Sequence, residues 1–313
     1  MGYLYGLLSA LLFGANGSVA KLVLQGGVTA GQLTFFRCLG AALLAGAVVL
    51  VSDRRALRLR PRTLLGCALL GLVGVAAVQW LYAVAIDLLP VGIALLLEYL
   101  AVPLVALVAW LVLKERVRPQ LWVAIVLVVG GLAIVAQVGA APLDAVGVLA
   151  ALAAAAALAV YFLLGERGVA SAPPLVIAFW SMLFAAAFWA LPSAWWEVSP
   201  ATLGAPLVLG DGASVPLWLG LVWVIAMGSF APYALSYLAI RRLGATRAGI
   251  LAAAEVVFAF AVAWLWLGEA LSLPQTAGAA VVLAGIVVAQ TARPTPVDAD
   301  LAIVPGSAVG GRP

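Results

Sequence analysis

The chain contains itself twice, with the charge of its connectors reversed, and this constrains its architecture more than any other feature. Shifted by 154 positions, residues 82–117 fall without a gap on 236–271. Ala85, Ile86, Leu89, Ala94, Leu97, Val102, Val108, Ala109, Trp110, Leu111, Leu113 and Glu115 each meet an identical residue, and the last of these pairs is Glu115 with Glu269. The connectors differ. Lys114, Arg116 and Arg118 face Gly268, Ala270 and Ser272, whereas Asp87 and Leu88 face Arg241 and Arg242. Basic connectors of membrane proteins stay on the cytoplasmic side. Equivalent helices with oppositely charged connectors therefore run in opposite directions, which predicts an inverted-topology repeat of the kind many secondary transporters use.

The membrane assignment rests on composition. The chain is 66% hydrophobic and 9% charged, with mean hydropathy +1.22, so most of it must lie in lipid or against other lipid-embedded helices. A spanning helix needs roughly 20 mostly apolar residues. Ten such runs are read near 3–24, 30–51, 63–86, 91–113, 119–138, 144–165, 174–192, 214–238, 245–267 and 274–291. Barrel strands alternate every second residue and are about half as long. The expected fold is an all-α integral membrane protein of ten transmembrane helices, arranged as two inverted five-helix repeats, 1–138 and 142–292. The first run lacks a basic lead and exceeds a signal-peptide core, so it is expected to be retained. The tail 293–313, with Pro294, Pro296, Pro305 and Gly310-Gly311, is expected to be disordered and cytoplasmic. The connector 192–216 sets Trp195, Trp196 and Trp218 among Pro and Gly and reads as an interfacial loop, with an extracellular lid as the alternative.

Basic residues orient the chain. With the N-terminus in the cytoplasm, every Lys and Arg except Lys21 and Arg37 falls inside. These are Arg54, Arg55, Arg58, Arg60 and Arg62; Lys114, Arg116 and Arg118; Arg167; Arg241, Arg242 and Arg247; and Arg293 and Arg312 of the tail. The opposite connectors hold Asp87, Asp144, Glu197, Asp211 and Glu269. Both termini are thus expected in the cytoplasm. The net charge of +4 marks topology and meets anionic lipid headgroups, without any need for nucleic acid.

Absences narrow the chemistry. The chain has no His, which argues against a metal-dependent intramembrane protease or a His proton relay. No Walker loop is present, so ATP is not its power source. Cys38 and Cys67 fall within spans and read as small buried apolar residues, with no disulfide framework. Neither a metal nor a cofactor is expected.

The remaining charges are those that lipid tolerates poorly. Lys21, Arg37, Glu98 and Glu255 are the ionisable residues well inside the spans, and intramembrane charge is by default a functional hypothesis. Lys21 lies about a turn from its helix end and is expected to snorkel to the surface. Arg37 and Glu98 lie at similar depth, so a structural ion pair is one reading of both and a substrate site the other. Glu255 follows Ala252, Ala253 and Ala254 near the middle of its span, with no basic residue at its depth. Burial penalises the charged form of a lone carboxylate, and a carboxyl that takes up and releases a proton is what proton-coupled transport requires. The repeat sets Glu255 on Ala101, one turn from Glu98, so the two carboxylates flank the midplane, where repeat-built transporters bind substrate. Gln79, Trp80, Tyr82 and Tyr99 in the first half, Tyr233 and Ser236 in the second, and Asn16 in the first span are candidates for the cavity wall. Pro103 and Pro232 deprive the carbonyls of Tyr99 and Gly228 of their helix partners, which is tolerated in membranes where a cavity or a polar partner compensates. The Ala-rich stretch 150–159 reads as a packing surface.

Lys21 and Arg37 in the first two spans, Pro-x-Gly-Ile-Ala at 90–94, Leu97-Glu98-Tyr99 with Pro103, and the span ends Glu115 and Glu269 together resemble the EamA-type branch of the drug/metabolite transporter superfamily. The resemblance covers 1–292, and the segments from Pro90 to Pro103 and from Ala231-Pro232-Tyr233 through Glu255 are most similar to bacterial homoserine/threonine exporters. It implies a multi-pass protein of the bacterial inner membrane with a central cavity between spans 3, 4, 8 and 9. It also implies efflux of a small amino acid or related metabolite. One departure is that Val256 follows Glu255, where such relatives often carry proline. The reading is a secondary active exporter driven by proton antiport, with Glu98 and Glu255 taking the substrate ammonium or the coupling proton and Arg37 pairing with Glu98 or attracting a carboxylate. The alternatives are an exporter of amphipathic drugs or cations, in which Trp80 and Tyr82 would matter more, and a membrane scaffold. Its partners are therefore a small-molecule substrate, protons and the bilayer. The sequence sets no oligomeric state.

Overall fold

A computed structural model describes residues 1–101, 104, 119–137, 143–169, 172–209, 212–243, 251–252 and 254–291. Pro103, Glu115, the basic connector Lys114, Arg116 and Arg118, Asp211, Arg247, the repeat boundary at 138–142 and the segment 293–313 lie outside the described residues.

The described chain is mostly helix. Helix α1 spans Gly2–Gln25 and α2 Ala30–Asp53. Helix α3 runs through Pro61–Leu69, a π-helical segment Leu70–Ala76, and Ala77–Leu88. Then come α4 (Val91–Glu98), α5 (Gln120–Gln137), α6 (Ala145–Val169) and α7 (Pro174–Trp189). Helix α8 runs through Leu217–Ile225, a π-helical turn Ala226–Phe230, and Ala231–Leu243. Helices α9 (Ala254–Leu267) and α10 (Leu273–Thr291) follow, and a short further helix, Pro200–Gly204, lies in the connector before α8. Among the described residues, Gly2–Gln25, Ala30–Leu57, Pro61–Leu88 and Leu217–Ser236 are long and apolar enough to cross a bilayer. Local chemistry sets the boundaries. A capping box starts α2, where the Gln32 N–H donates to Thr29 Oγ1 (3.2 Å) and the Thr29 N–H donates to Gln32 Oε1 (2.9 Å).

The expectation of a purely α-helical chain needs one correction. The connector before α8 forms an antiparallel hairpin, β1 (Pro206–Val208) with β2 (Ser214–Pro216). Proline at the pair ends suits so short a hairpin, since neither strand extends a ladder. Leu207 of β1 is buried, and Trp195 nearby stacks on Phe35 of α2 with ring centroids 5.6 Å apart, so this connector is folded onto the helix ends.

The halves exchange partners. Helix α1 packs on α8 and α9, α6 packs on α3 and α4, α2 on α7, and α5 on α10. Close backbone approaches give the directions. Gly6 faces Leu251 and Gly14 faces Glu255 and Ala259, so α1 and α9 run parallel. Gly31 faces Trp189 and Gly46 faces Phe179, so α2 and α7 run antiparallel. The α5–α10 contact is reciprocal: Gly131 lies against Gly278 and Val282, and Gly285 lies against Ala124 and Val128. Each of these residues is 154 positions from its counterpart, so the register read over 82–117 continues through α5 and α10. Glycine here lets the two backbones meet, the usual device where helices associate without a hydrophobic driving force. The same shift carries 72–76 onto 226–230, so the π-helical segments of α3 and α8 are counterparts.

Candidate functional site

A cavity of about 240 Å³ lies between the helices that the halves exchange. Its wall includes Ser9, Phe13 and Asn16 of α1, Arg37 of α2, Gln79 and Tyr82 of α3, and Glu98 with the adjoining Tyr99 from α4. Tyr161 of α6, Tyr233 and Ser236 of α8, and Glu255 of α9 complete the polar lining.

Helix irregularities position these groups. Pro232 has no N–H to donate, and α8 widens into its π turn immediately before it. Ser229 Oγ donates back to the Val224 carbonyl at 3.0 Å. The Gly228 carbonyl accepts from Arg37 Nη2 at 3.2 Å, while Arg37 Nε donates to Ser229 Oγ at 2.7 Å. Any side chain at Gly228 would run into Asn16, so glycine there is what lets α1 seat against the π turn. Helix α4 loosens at Tyr99 and Leu100. The Tyr99 hydroxyl donates to Glu255 Oε2 at 2.6 Å and lies 3.4 Å from the Ala252 carbonyl, joining α4 to α9 across the cavity. Edge-on packing of Phe13 against Tyr233, with centroids 5.1 Å apart, and a hydrogen bond between Tyr161 and Tyr233 complete an aromatic wall.

The sequence candidates Asn16, Gln79, Tyr82, Tyr99, Tyr233, Ser236, Arg37, Glu98 and Glu255 all line this one cavity. Trp80 does not. It is 38% exposed and its ring packs on Trp189 at 5.5 Å, because a residue next to Gln79 points about 100° around the helix from it. The structural ion pair between Arg37 and Glu98 is also absent: among the described residues the one salt bridge within 4.0 Å joins Lys21 and Glu269. Arg37 instead grips the π turn. Lys21 does not snorkel; it donates to Glu269 Oε1 at 2.6 Å and to the Leu89 carbonyl at 2.8 Å.

Three polar or aromatic lining residues are not among the sequence candidates, Ser9, Phe13 and Tyr161. Tyr161 packs on Gly74, whose repeat counterpart Gly228 packs on Asn16, so Asn16 and Tyr161 hold corresponding places. The alanines before Tyr161 do form a packing surface, with Ala151, Ala154 and Ala155 buried.

A test of the Arg37 contacts follows from this geometry. Arg37→Met removes two donors from the α8 turn and is expected to lower membrane abundance, at a cost on the order of 2 kcal/mol. Adding Glu98→Gln is expected to recover none of it, as measured by immunoblot of solubilised protein. Recovery in the double variant would reinstate a direct pair.

The model of the EamA-like transporter family matches residues 1–137 and 145–291. The chain is 29% identical over 269 residues to the threonine/homoserine exporter RhtA of Escherichia coli strain K12, covering 81% of this chain and 83% of that protein. It is 25% identical over 299 residues to the uncharacterized transporter YwfM of Bacillus subtilis strain 168, covering 92% and 93%. A crystal structure 22% identical in sequence superposes with a TM-score of 0.63, covering 92% of this chain and 96% of that one, a likeness of fold.

Proposed function

The chain belongs to the EamA-like transporter family and is a membrane transporter, and from that premise we propose that it exports a small amino acid or related metabolite by proton antiport. The observation that carries this is the wall of the 240 Å³ cavity, where the buried carboxylate of Glu98, the half-buried carboxylate of Glu255 and the buried guanidinium of Arg37 meet. A zwitterion needs both signs in one site. Pockets for drug-sized ligands run to roughly 300–1,000 Å³, so the cavity suits a metabolite of few heavy atoms. The resemblance to a threonine/homoserine exporter points the same way.

In this reading the substrate ammonium lies between Glu98 and Glu255. Arg37 has five N–H donors in a planar fork, and Nε and Nη2 are engaged on α8, which leaves Nη1 for the substrate carboxylate. Glu255 alternates between a proton and the substrate ammonium, and the Tyr99 hydroxyl holds its carboxyl in place when the site is empty. One bound cation excludes the other, which is the requirement for antiport. A metabolite-resolved efflux screen, comparing cells with and without the protein, tests the substrate class. Accumulation of a small amino acid outside only the expressing cells is the expected result, and an unchanged profile refutes the reading.

We further propose two inverted five-helix repeats with both termini in the cytoplasm. The reciprocal, antiparallel α5–α10 contact, in the same 154-residue register as 82–117, supports it. A periplasmic reporter fused within 193–213 is expected to be active, and one fused after Arg60 or Arg167 inactive. Activity after Arg60 with none in 193–213 would reverse the orientation.

A further inference from the structure

We propose that Lys21 and Glu269 form a latch of fixed polarity that closes the end of the bundle remote from Met1, and that its release exposes the cavity to that side. This rests on the transport reading above for its purpose, though not for its geometry. Glu269 stands just past α9, where Gly268 turns the chain in the left-handed conformation (φ 68°) that favours glycine. One carboxylate oxygen accepts from Lys21 Nζ (2.6 Å) and the other from the Val91 N–H at the start of α4 (2.8 Å). Lys21 Nζ also donates to the Leu89 carbonyl at 2.8 Å. Four polar groups thus tie α1 of one half to α9 of the other and to the α3–α4 connector. The two charged side chains are 12% and 17% exposed, so water competes weakly for them.

The cavity lies entirely on the other side of this tie. Its lining reaches no further along α1 than Asn16 and along α3 than Tyr82, and begins on α4 at Leu95. Between cavity and latch the helices are sealed. Gly17 takes Val91 and the Tyr82 hydroxyl against its backbone, and Gly92 takes the ring of Phe260. Ala20, Ile86 and Ala94 in this layer are at most 1% exposed. A substrate leaving toward this end must part α1 from α9, and the latch is the polar contact that holds them together there. Its polarity is fixed by the backbone, since the Leu89 carbonyl requires a donor and the Val91 N–H an acceptor. Exchanging the two charges would set a carboxylate against a carbonyl and an ammonium against an N–H.

The test uses Ser236→Cys as a reporter in the cavity wall, labelled by a membrane-impermeant maleimide in right-side-out and inside-out vesicles. The parent protein, whose Cys38 and Cys67 are buried, is the blank. With the latch intact, labelling is expected from one side only. Lys21→Met and Glu269→Leu, compared at equal membrane abundance, are each expected to speed labelling from the protected side roughly tenfold or more, as loss of a charged hydrogen-bond network implies. The exchange Lys21→Glu with Glu269→Lys is expected to stay as open as the single variants. Equal labelling from both sides of the unaltered latch, or no change in both single variants, overturns the proposal. Restored protection in the exchanged variant overturns the fixed polarity. The readout needs no substrate, so a wrong assignment of export leaves it intact and a failed latch leaves the export reading to its own test.

Discussion

Glu255→Gln is expected to reach the membrane in normal amounts and to lose efflux driven by a pH gradient, down to the background of empty vesicles. The neutral side chain imitates the protonated carboxyl and cannot release a proton. It keeps the oxygen that accepts from Tyr99 at 2.6 Å, so the join between α4 and α9 survives and the loss is one of coupling. No cation lies within 4.0 Å of Glu255 among the described residues, so neutralising it strands no partner. Downhill exchange of substrate is expected to persist, because Glu98 and Arg37 remain in the wall. Glu255→Asp keeps the titration but withdraws the carboxyl by one methylene from Tyr99, and intermediate rates follow. Uphill transport by Glu255→Gln at the unaltered rate would move the coupling role to Glu98.

The second large effect is structural. Gly14→Val is expected to lower both the melting temperature in detergent and the membrane abundance. A Cβ at this position would lie 2.7 Å from the Glu255 carbonyl oxygen and 2.8 Å from the Ala259 nitrogen. Both are backbone atoms that no rotamer change can move, so α1 must withdraw from α9. Overpacking of this kind costs about 1–3 kcal/mol, and here it also displaces the segment that carries Glu255. Gly130→Val is the control, since nothing lies within 4 Å of a Cβ there. Equal melting of the two variants would mean that the α1–α9 crossing is looser than its geometry.

Much of this arrangement is legible in the residues because membrane solvation leaves few solutions. Apolar runs set the helices, and Pro232 marks the place where α8 leaves regular geometry. The 154-residue register, read over 82–117, continues through Gly131 and Gly285 and relates the two π segments. The π segment of α3 contains no proline, and only its counterpart in α8 betrays it. What the sequence conceals is azimuth. Arg37 and Glu98 share a depth and line one cavity, yet the carbonyl released at Gly228 takes the guanidinium. Trp80 sits between two cavity residues in sequence and faces away from both. Lys21 near a helix end invites the snorkelling reading, and its true partner, Glu269, is 248 positions distant. Tyr161 is hidden in an alanine-rich stretch that carries no polar periodicity.

Proton movement coupled to substrate movement tests the central claim most directly. Purified protein is placed in liposomes loaded with a small amino acid, from a panel that includes threonine and homoserine, together with a pH-sensitive dye. Potassium and valinomycin clamp the membrane voltage. On dilution into amino-acid-free buffer, amino acid is expected to leave and the lumen to acidify in step, as protons enter in exchange. Both signals are expected to be absent from protein-free liposomes, and Glu255→Gln is expected to lose the acidification. Amino acid that leaves with no change in lumenal pH, at a rate that depends on the protein, would contradict proton antiport.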